Sequence, residues 1–162
     1  LHRGDYAGMA ELRRRLRAVG TMRLAGGEMT REPYEFRELL ERGCLDVVQP
    51  DVVCTQGFSG LAPLAREVVA HGSWFTPHTW GNGIGVLANL HLAAGAAGRE
   101  GAPWVEWPFD PPEWTTERRD YPLVEPLRAT DGWFRLTDQP GLGVHLDEDV
   151  LRHTASTAAT FD

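Results

Sequence analysis

The chain has 162 residues, of which 42% are apolar and 24% are charged, and its formal net charge is -7. That apolar content suits one folded domain and excludes a disordered tail, while the acidic balance argues against a nucleic-acid or anionic-membrane surface. No apolar run approaches the roughly 20 residues needed to span a bilayer, and the first residues do not resemble a signal peptide. Two cysteines, Cys44 and Cys54, are too few for a disulfide framework and predict a cytoplasmic location.

Short apolar runs and segments of helical period alternate along the first two-thirds of the chain. Their length, and the β-branched or aromatic residues in three of them, mark four of these runs as strands. The predicted strands are MRLA at 22–25, LDVVQP at 45–50, WFTP at 74–77 and PWV at 103–105. Apolar periodicity predicts helices over 7–19, 32–42, 60–71 and 84–94. The last of these helices is apolar on nearly every side, which is typical of a helix covered on two faces.

A polar residue follows each predicted strand, and the spacing of these residues indicates the architecture. Glu28, Asp51, His78 and Glu106 lie 23, 27 and 28 positions apart. Alternating strands and helices predict an α/β fold with a parallel sheet, and a (β/α)₈ barrel of about 250 residues gives each unit roughly 30 residues. Residues 1–110 are therefore predicted to form half of such a TIM barrel. Residues 111–162, richer in proline and charge, form a C-terminal segment with a short helix over 148–153.

The four polar residues are also candidates for chemistry. Residues just past the carboxyl ends of barrel strands converge on one face, where barrel enzymes have their active sites. Three carboxylates and an imidazole suit the binding of a hard divalent cation and the transfer of a proton. The alternative is that each side chain caps the helix that follows it or is simply solvated.

Six short strings occur in the order and at the spacing seen in one enzyme superfamily. They are AGGE at 25–28, DVVQPD at 46–51, TPHTW at 76–80, NLHL at 89–92, VE at 105–106 and DQPGLG at 138–143. Together they resemble the enolase superfamily, most closely its mandelate racemase-like branch, over nearly the whole chain. The resemblance implies that the sheet holds barrel strands 5–8.

The resemblance also implies a role for each candidate residue. Glu28 matches the third carboxylate ligand of an Mg²⁺ ion, and Asp51 and His78 match an Asp–His dyad in which the carboxylate fixes the ring tautomer. Glu106 matches an acid that hydrogen-bonds an enolate oxygen, and an apolar cage including Trp104 and Trp107 is expected to keep it protonated.

The loop that follows His78 is expected to face the same pocket. Trp80 and Asn82 are therefore candidate substrate-binding residues. Packing in the pocket wall is the alternative interpretation of both.

The family pattern also contains residues that this chain lacks. The first two metal ligands, a Lys-x-Lys pair and an N-terminal capping domain all match positions before Leu1. Because the chain also begins with leucine, we expect a fragment that binds metal poorly and is inactive by itself. Its expected partners are a small carboxylate substrate, the N-terminal half of the same enzyme and further copies in a homo-oligomer. The strands ending at Glu28 and Glu106 are expected to have unpaired edges, and Leu24, Val48 and Phe75 are expected to face a half-empty barrel. The free chain is therefore predicted to aggregate, or to persist only beside a second polypeptide that supplies the first half.

The implied reaction is metal-dependent abstraction of the proton alpha to a carboxylate, through an enediolate. Dehydration of an acid sugar, a carbon–oxygen lyase reaction, is the favoured form. Racemisation or epimerisation of a 2-hydroxy acid uses the same intermediate but needs a second base, which would be a missing lysine. A metal-dependent barrel hydrolase usually collects several strand-end histidines, whereas this sequence has one. A non-catalytic relic is the fourth alternative.

Overall fold

A computed structural model describes residues 1–96 and 104–155 of the chain. Short parallel strands alternate with helices, as predicted, and two short helices follow in the C-terminal segment. The elements in chain order are α1 Tyr6–Val19, β1 Ala25–Gly26, α2 Pro33–Glu41, β2 Val47–Val48, α3 Gly57–Ala70, β3 Trp74–Phe75, α4 Gly83–Ala96, α5 Thr116–Asp120 and α6 Glu148–Thr154.

Local capping interactions set the starts of the first two helices. The Asp5 carboxylate accepts a hydrogen bond from the Gly8 N–H at 2.9 Å, which satisfies a free donor in the first turn of α1. Glu32 and Glu35 form a reciprocal capping box at α2, and Pro33 occupies its first turn, where a missing N–H costs nothing. The helix boundaries therefore follow from the sequence to within a few residues.

The sheet has the order β1-β2-β3, and both strand pairs are parallel. Gly26 is in register with Val48, and Val48 with Phe75. The predicted α/β fold with a parallel sheet is confirmed, whereas the assignment to barrel strands 5–8 stays a prediction. The fourth strand is not formed by the part of PWV at 103–105 that the structure describes: residues 104–106 lack regular structure, and Pro103 lies outside the described residues.

The main core lies between the sheet and helices α2 and α3. Phe36, Leu61 and Leu64 are fully buried there, in contact with the same cluster as Val48 and Phe75. The expectation that Val48 and Phe75 face the barrel interior is wrong. Neighbouring Val47 is half-buried and Trp74 is 42% exposed, so the opposite side of the sheet is the open one.

The geometry of a strand explains why Val48 and Phe75 face the helices. Side chains in a strand alternate between the two faces, so an error of one residue exchanges the helix-facing set for the interior-facing set. Leu24, the third residue expected to face the interior, is half-buried against the same helix-side cluster.

Helix α4 separates two apolar clusters, which explains its apolar sequence. Ala88 and Leu92 belong to the main core. Val86, Leu87 and Leu90 face a second cluster formed with the C-terminal segment, including Leu127 and Phe134. The prediction of a helix covered on two faces is confirmed.

The C-terminal segment contains a buried ion pair and a helix that the sequence did not predict. Arg119 and Asp120 lie in α5, are both almost fully buried and bind each other at 2.7 Å. Each also hydrogen-bonds the backbone of Leu127. The domain boundary at 110/111 and the direction in which the segment packs on other domains stay predictions.

Within the described ranges, β1 and β3 each pair with β2 alone, so β1 presents a free edge, as expected for the strand ending at Glu28. None of the helices that the structure describes is long and apolar enough to cross a membrane. Cys44 is buried, Cys54 is half-buried, and both are free thiols.

Candidate active site

The strand register brings three of the predicted polar residues to one end of the sheet. Gly26, Val48 and Phe75 are aligned across the three strands. Glu28, Asp51 and His78 follow the strands that end at those residues by two, three and three positions. Because the strands are parallel, all three side chains arise from the carboxyl end of the sheet, where barrel enzymes place their chemistry.

Asp51 and His78 are in direct contact, as predicted. Oδ2 of the Asp51 carboxylate lies 3.0 Å from Nδ1 of the His78 ring. A carboxylate only accepts hydrogen bonds, so Nδ1 is the donor and the neutral ring keeps its lone pair on Nε2. The His78 side chain is 24% exposed, whereas that of Asp51 is 7% exposed. The dyad therefore combines a buried carboxylate with an imidazole that a small molecule can reach.

Further hydrogen bonds fix the other oxygen of Asp51. Its Oδ1 accepts from the backbone N–H of Val53 and from the side-chain amide of Asn89, each at 2.9 Å. Asn89 is 1% exposed and lies in α4. The carboxylate is thus held on both sides, by the ring at one oxygen and by two N–H donors at the other.

Glu106 lies beside the dyad although its predicted strand is absent from the described residues. Its Oε1 accepts from the Gln49 amide at 2.9 Å, and its Oε2 accepts from the Thr79 N–H at 3.3 Å. Its backbone carbonyl accepts from the Thr79 hydroxyl at 2.8 Å. Since Thr79 follows His78 directly, these bonds place Glu106 at the same end of the sheet.

The expectation that Trp104 and Trp107 form an apolar cage around Glu106 is wrong. Trp104 is 72% exposed. Trp107 instead packs on Phe134, with ring centroids 5.7 Å apart, and on the guanidinium of Arg119 at 4.4 Å. The carboxyl of Glu106 instead accepts hydrogen bonds from the Gln49 amide and the Thr79 N–H, while the Trp107 ring packs in the second apolar cluster.

Glu28 occupies an exposed turn after β1, and Gly27 sets that turn. Gly27 has φ +114°, and a Cβ there would lie 2.9 Å from the Phe36 ring, so only glycine fits without rearrangement. The Glu28 carboxylate has no hydrogen bond or ion pair with any residue that the structure describes, which leaves its oxygens available to a ligand.

The residues present can supply part of a metal site. An exposed carboxylate such as Glu28 is a suitable oxygen ligand for a hard cation. Among residues 1–96 and 104–155, however, no three His, Cys, Asp or Glu side chains come together as a metal-binding group. The described residues thus fit one ligand of a shared site, not a complete one.

Trp80 and Asn82 lie in the loop between His78 and α4. Trp80 is 41% exposed and its ring packs on Trp114 at a centroid distance of 5.7 Å. Asn82 Oδ1 accepts from the Gly85 N–H at 3.1 Å, which is a helix-capping interaction. Asn82 therefore caps the first turn of α4. Contact of Trp80 or Asn82 with substrate stays a prediction.

Sequence reasoning missed three polar residues of this site: Gln49, Thr79 and Asn89. All three lie inside the strings that carry the resemblance. A usable signal exists for Asn89, because the stretch 84–94 contains only one other polar side chain, that of His91. A lone amide in a buried helix needs partners for its donors and its acceptor, which predicts a specific contact.

Comparison with known proteins supplies a further set of observations. A family model described as enolase C-terminal domain-like matches residues 1–150. A D-galactarolactone cycloisomerase from Agrobacterium fabrum is 32% identical over 141 residues, which are 85% of this chain and 36% of that protein. An L-rhamnonate dehydratase from Saccharopolyspora erythraea is 33% identical over 151 residues, which are 90% of this chain and 35% of that protein.

A solved structure gives the same result for the fold. The crystal structure of an enolase from alpha pretobacterium bal199 with bound Mg is 29% identical, with a TM-score of 0.72, and the match covers 93% of this chain and 36% of that one. The chain therefore spans little more than a third of the length of these relatives.

Proposed function

This chain belongs to the enolase C-terminal domain-like family, and on that premise we propose that it carries half of the active site of an acid-sugar dehydratase. The observation that carries the proposal is the Asp51–His78 contact of 3.0 Å at the carboxyl end of the parallel sheet. The similarity to an L-rhamnonate dehydratase over 90% of the chain supports the choice of reaction.

His78 is the proposed base. Its free Nε2 lone pair would take the proton from the carbon next to the substrate carboxylate, and the electron pair left behind would spread into that carboxylate as an enediolate. The His78 imidazolium would then give that proton to the β-hydroxyl, the bond between the β-carbon and this oxygen would break with loss of water, and the resulting enol would tautomerise to a 2-keto acid. A proton next to a carboxylate is very weakly acidic, so the step requires strong stabilisation of the developing charge.

Two further residues would support this proton transfer. Asp51 would hold the ring in the Nδ1–H tautomer and stabilise the imidazolium that forms when Nε2 takes the proton. Glu106, held by Gln49 and Thr79, would lie beside an oxygen of the enediolate and, when protonated, donate a hydrogen bond to it. Trp80 and Asn82 are proposed to contact the substrate from the loop after His78.

Glu28 is the proposed metal ligand of this chain. The ion would be Mg²⁺, which neutralises negative charge on carboxylate oxygens when it is bound. Glu28 is exposed, and its carboxylate makes no hydrogen bond or ion pair with the described residues, so its oxygens are available to coordinate a metal ion. The other ligands are proposed to come from outside the chain, since the described residues provide no group of three.

The free edge of β1 supports a proposal about the rest of the enzyme. A cavity of about 430 Å³ opens next to this edge and Glu28, with a partly apolar lining that includes Met9, Leu12 and Leu39. We propose that the first half of the barrel covers this surface and completes the site. The homo-oligomer and the cytoplasmic location expected from the sequence stay part of the proposal.

Isomerisation is the second candidate, favoured by the similarity to a D-galactarolactone cycloisomerase over 85% of the chain. It would use the same proton abstraction but return a proton to the substrate without losing the hydroxyl. A screen of the whole enzyme against a panel of acid sugars separates the two. Keto-acid formation indicates dehydration, solvent deuterium in an isomeric product indicates isomerisation, and neither reaction with any acid sugar would contradict the proposal.

A further inference from the structure

We infer that Asn89 is a positioning residue for the Asp–His dyad: it fixes the Asp51 carboxylate so that one oxygen is directed at His78. The inference rests on the proposed function for its catalytic consequence, and on geometry for the contact itself. Among the described residues, the hydrogen bonds of the Asn89 side chain go to Val52, Asp51 and Gly85, and none goes to the His78 ring. Its effect on proton transfer would therefore act through Asp51.

The contacts of Asn89 allow only one orientation of its side-chain amide. Oδ1 accepts from the backbone N–H of Val52 at 2.9 Å. Nδ2 donates to Asp51 Oδ1 at 2.9 Å and to the carbonyl of Gly85 at 3.1 Å. An exchange of oxygen and nitrogen would set an acceptor against a carboxylate and a carbonyl, and a donor against an N–H. The environment thus determines that a donor points at Asp51.

This donor helps to fix the plane of the Asp51 carboxylate. Oδ1 receives two N–H donors, from Asn89 and from Val53. Oδ2 receives Nδ1 of His78 and makes no other hydrogen bond among the described residues. Rotation of the carboxylate by half a turn about its bond would only exchange the two oxygens, but a smaller rotation would break both sets of bonds. The preferred plane of the carboxylate is therefore the one that meets the ring.

The two side chains that bond the Asp51 carboxylate, those of His78 and Asn89, come from the same β–α unit. His78 lies after β3 and Asn89 lies in α4, so both belong to the same β3–α4 unit. Asp51 belongs to the preceding unit, in the loop between β2 and α3. The β3–α4 unit therefore hydrogen-bonds the Asp51 carboxylate at both oxygens, through the His78 ring and through the Asn89 amide. Burial strengthens these hydrogen bonds, because both Asp51 and Asn89 are almost fully buried.

The test compares two variants of the same helix in the whole enzyme. Asn89→Leu keeps a branched side chain of similar shape but removes all three hydrogen bonds of the amide. His91→Leu is the control, because it removes a hydrogen bond from α4, that of Nε2 with the Leu142 carbonyl at 3.3 Å, without touching Asp51. The readouts are the ¹⁵N signals of the His78 ring, which report the tautomer, and the rate of α-proton removal in D₂O.

In Asn89→Leu we expect the His78 ring to lose its single Nδ1–H pattern and kcat for proton removal to fall about 10- to 100-fold, with KM unchanged. His91→Leu should match the unmodified enzyme in both readouts. An unchanged ring pattern in Asn89→Leu would overturn the inference, whether or not the rate falls. If no acid sugar reacts with the unmodified enzyme, the proposed function fails, but the ring signals still decide the role of Asn89.

A second variant covers the case in which Asn89→Leu does not fold. Asn89→Ala removes the same three hydrogen bonds without placing a branched apolar group against Asp51. We expect the same loss of the single Nδ1–H pattern and of the rate. Retention of both in a folded Asn89→Ala protein would contradict the inference.

Discussion

Oδ2 of Asp51 meets Nδ1 of His78 at 3.0 Å although 27 positions separate the two residues in the sequence. That contact depends on the register of two strands, because Val48 pairs with Phe75 and each residue of the dyad follows its strand by three positions. The backbone reinforces it: the His78 N–H donates to the Pro50 carbonyl at 3.0 Å. The parallel sheet thus fixes the distance between carboxylate and ring.

Replacement of Glu28 tests its assignment as a metal ligand. In the whole enzyme, Glu28→Gln should weaken Mg²⁺ binding on the order of tenfold or more, because an ionised oxygen ligand becomes a neutral amide. Titration calorimetry measures the effect. His78→Asn is the control and should leave Mg²⁺ affinity nearly unchanged, since the ring is assigned to proton transfer. Equal losses of affinity in both variants would show that the two roles are wrongly divided.

The turn that carries Glu28 should depend on Gly27. Gly27→Ala adds a Cβ 2.9 Å from the Phe36 ring at a φ of +114°. Backbone strain alone costs about 1–3 kcal/mol at such a position. Because the steric clash adds to this cost, we expect a loss of stability at least that large. Gly57→Ala is the matched control: φ is +64° but nothing lies within 4 Å of the added Cβ, and about 1–2 kcal/mol is expected. Chemical denaturation measures both, and equal losses would contradict the steric argument.

Asp46 should make stability sensitive to acid. Burial alone would raise its pKa, but hydrogen bonds from the Leu24 N–H, Arg13 and Arg17 hold the pKa below its ordinary value of 3.8. A lowered folded-state pKa contributes stability that is complete above the unfolded value and is lost as pH falls through the folded one. We therefore expect Asp46→Asn to lower the free energy of unfolding at neutral pH by about 1–3 kcal/mol.

The same denaturation experiment at lower pH checks the sign. Below about pH 4 the stability of the unmodified protein should fall toward that of Asp46→Asn. Glu11→Gln is the control, because Glu11 pairs with Arg14 and Arg15 on an exposed face of α1. Hydrogen bonds from those arginines lower the pKa of Glu11 to about 2, yet solvent screens such pairs. Its substitution should leave stability unchanged, and an effect as large as that of Asp46→Asn would contradict the argument from burial.

The alternation of elements and the positions of the dyad could be predicted because both depend on local pattern. Strand and helix periods differ, and in a parallel sheet the residue after each strand falls at the same edge. Asp51 and His78 could therefore be placed before their contact was measured.

Features that depend on long-range packing could not be predicted in the same way. The faces of Val48 and Phe75 depend on a register that the sequence leaves open by one residue. The Gln49–Glu106 and Asn89–Asp51 bonds join residues 57 and 38 positions apart, and no local signal pairs them. Trp107 is adjacent to Glu106 in the sequence, but its ring packs in the second apolar cluster, against Phe134.

The role of His78 as the base is tested by removal of the α-proton from an acid sugar in D₂O, followed by NMR with the whole enzyme and with its His78→Asn variant. We expect the unmodified enzyme to remove the proton. His78→Asn, with Mg²⁺ affinity retained, should do so at least about 10²-fold more slowly, since general-base catalysis contributes about 10²–10⁴-fold. Proton removal by His78→Asn at the unmodified rate would contradict the assignment of His78 as the base.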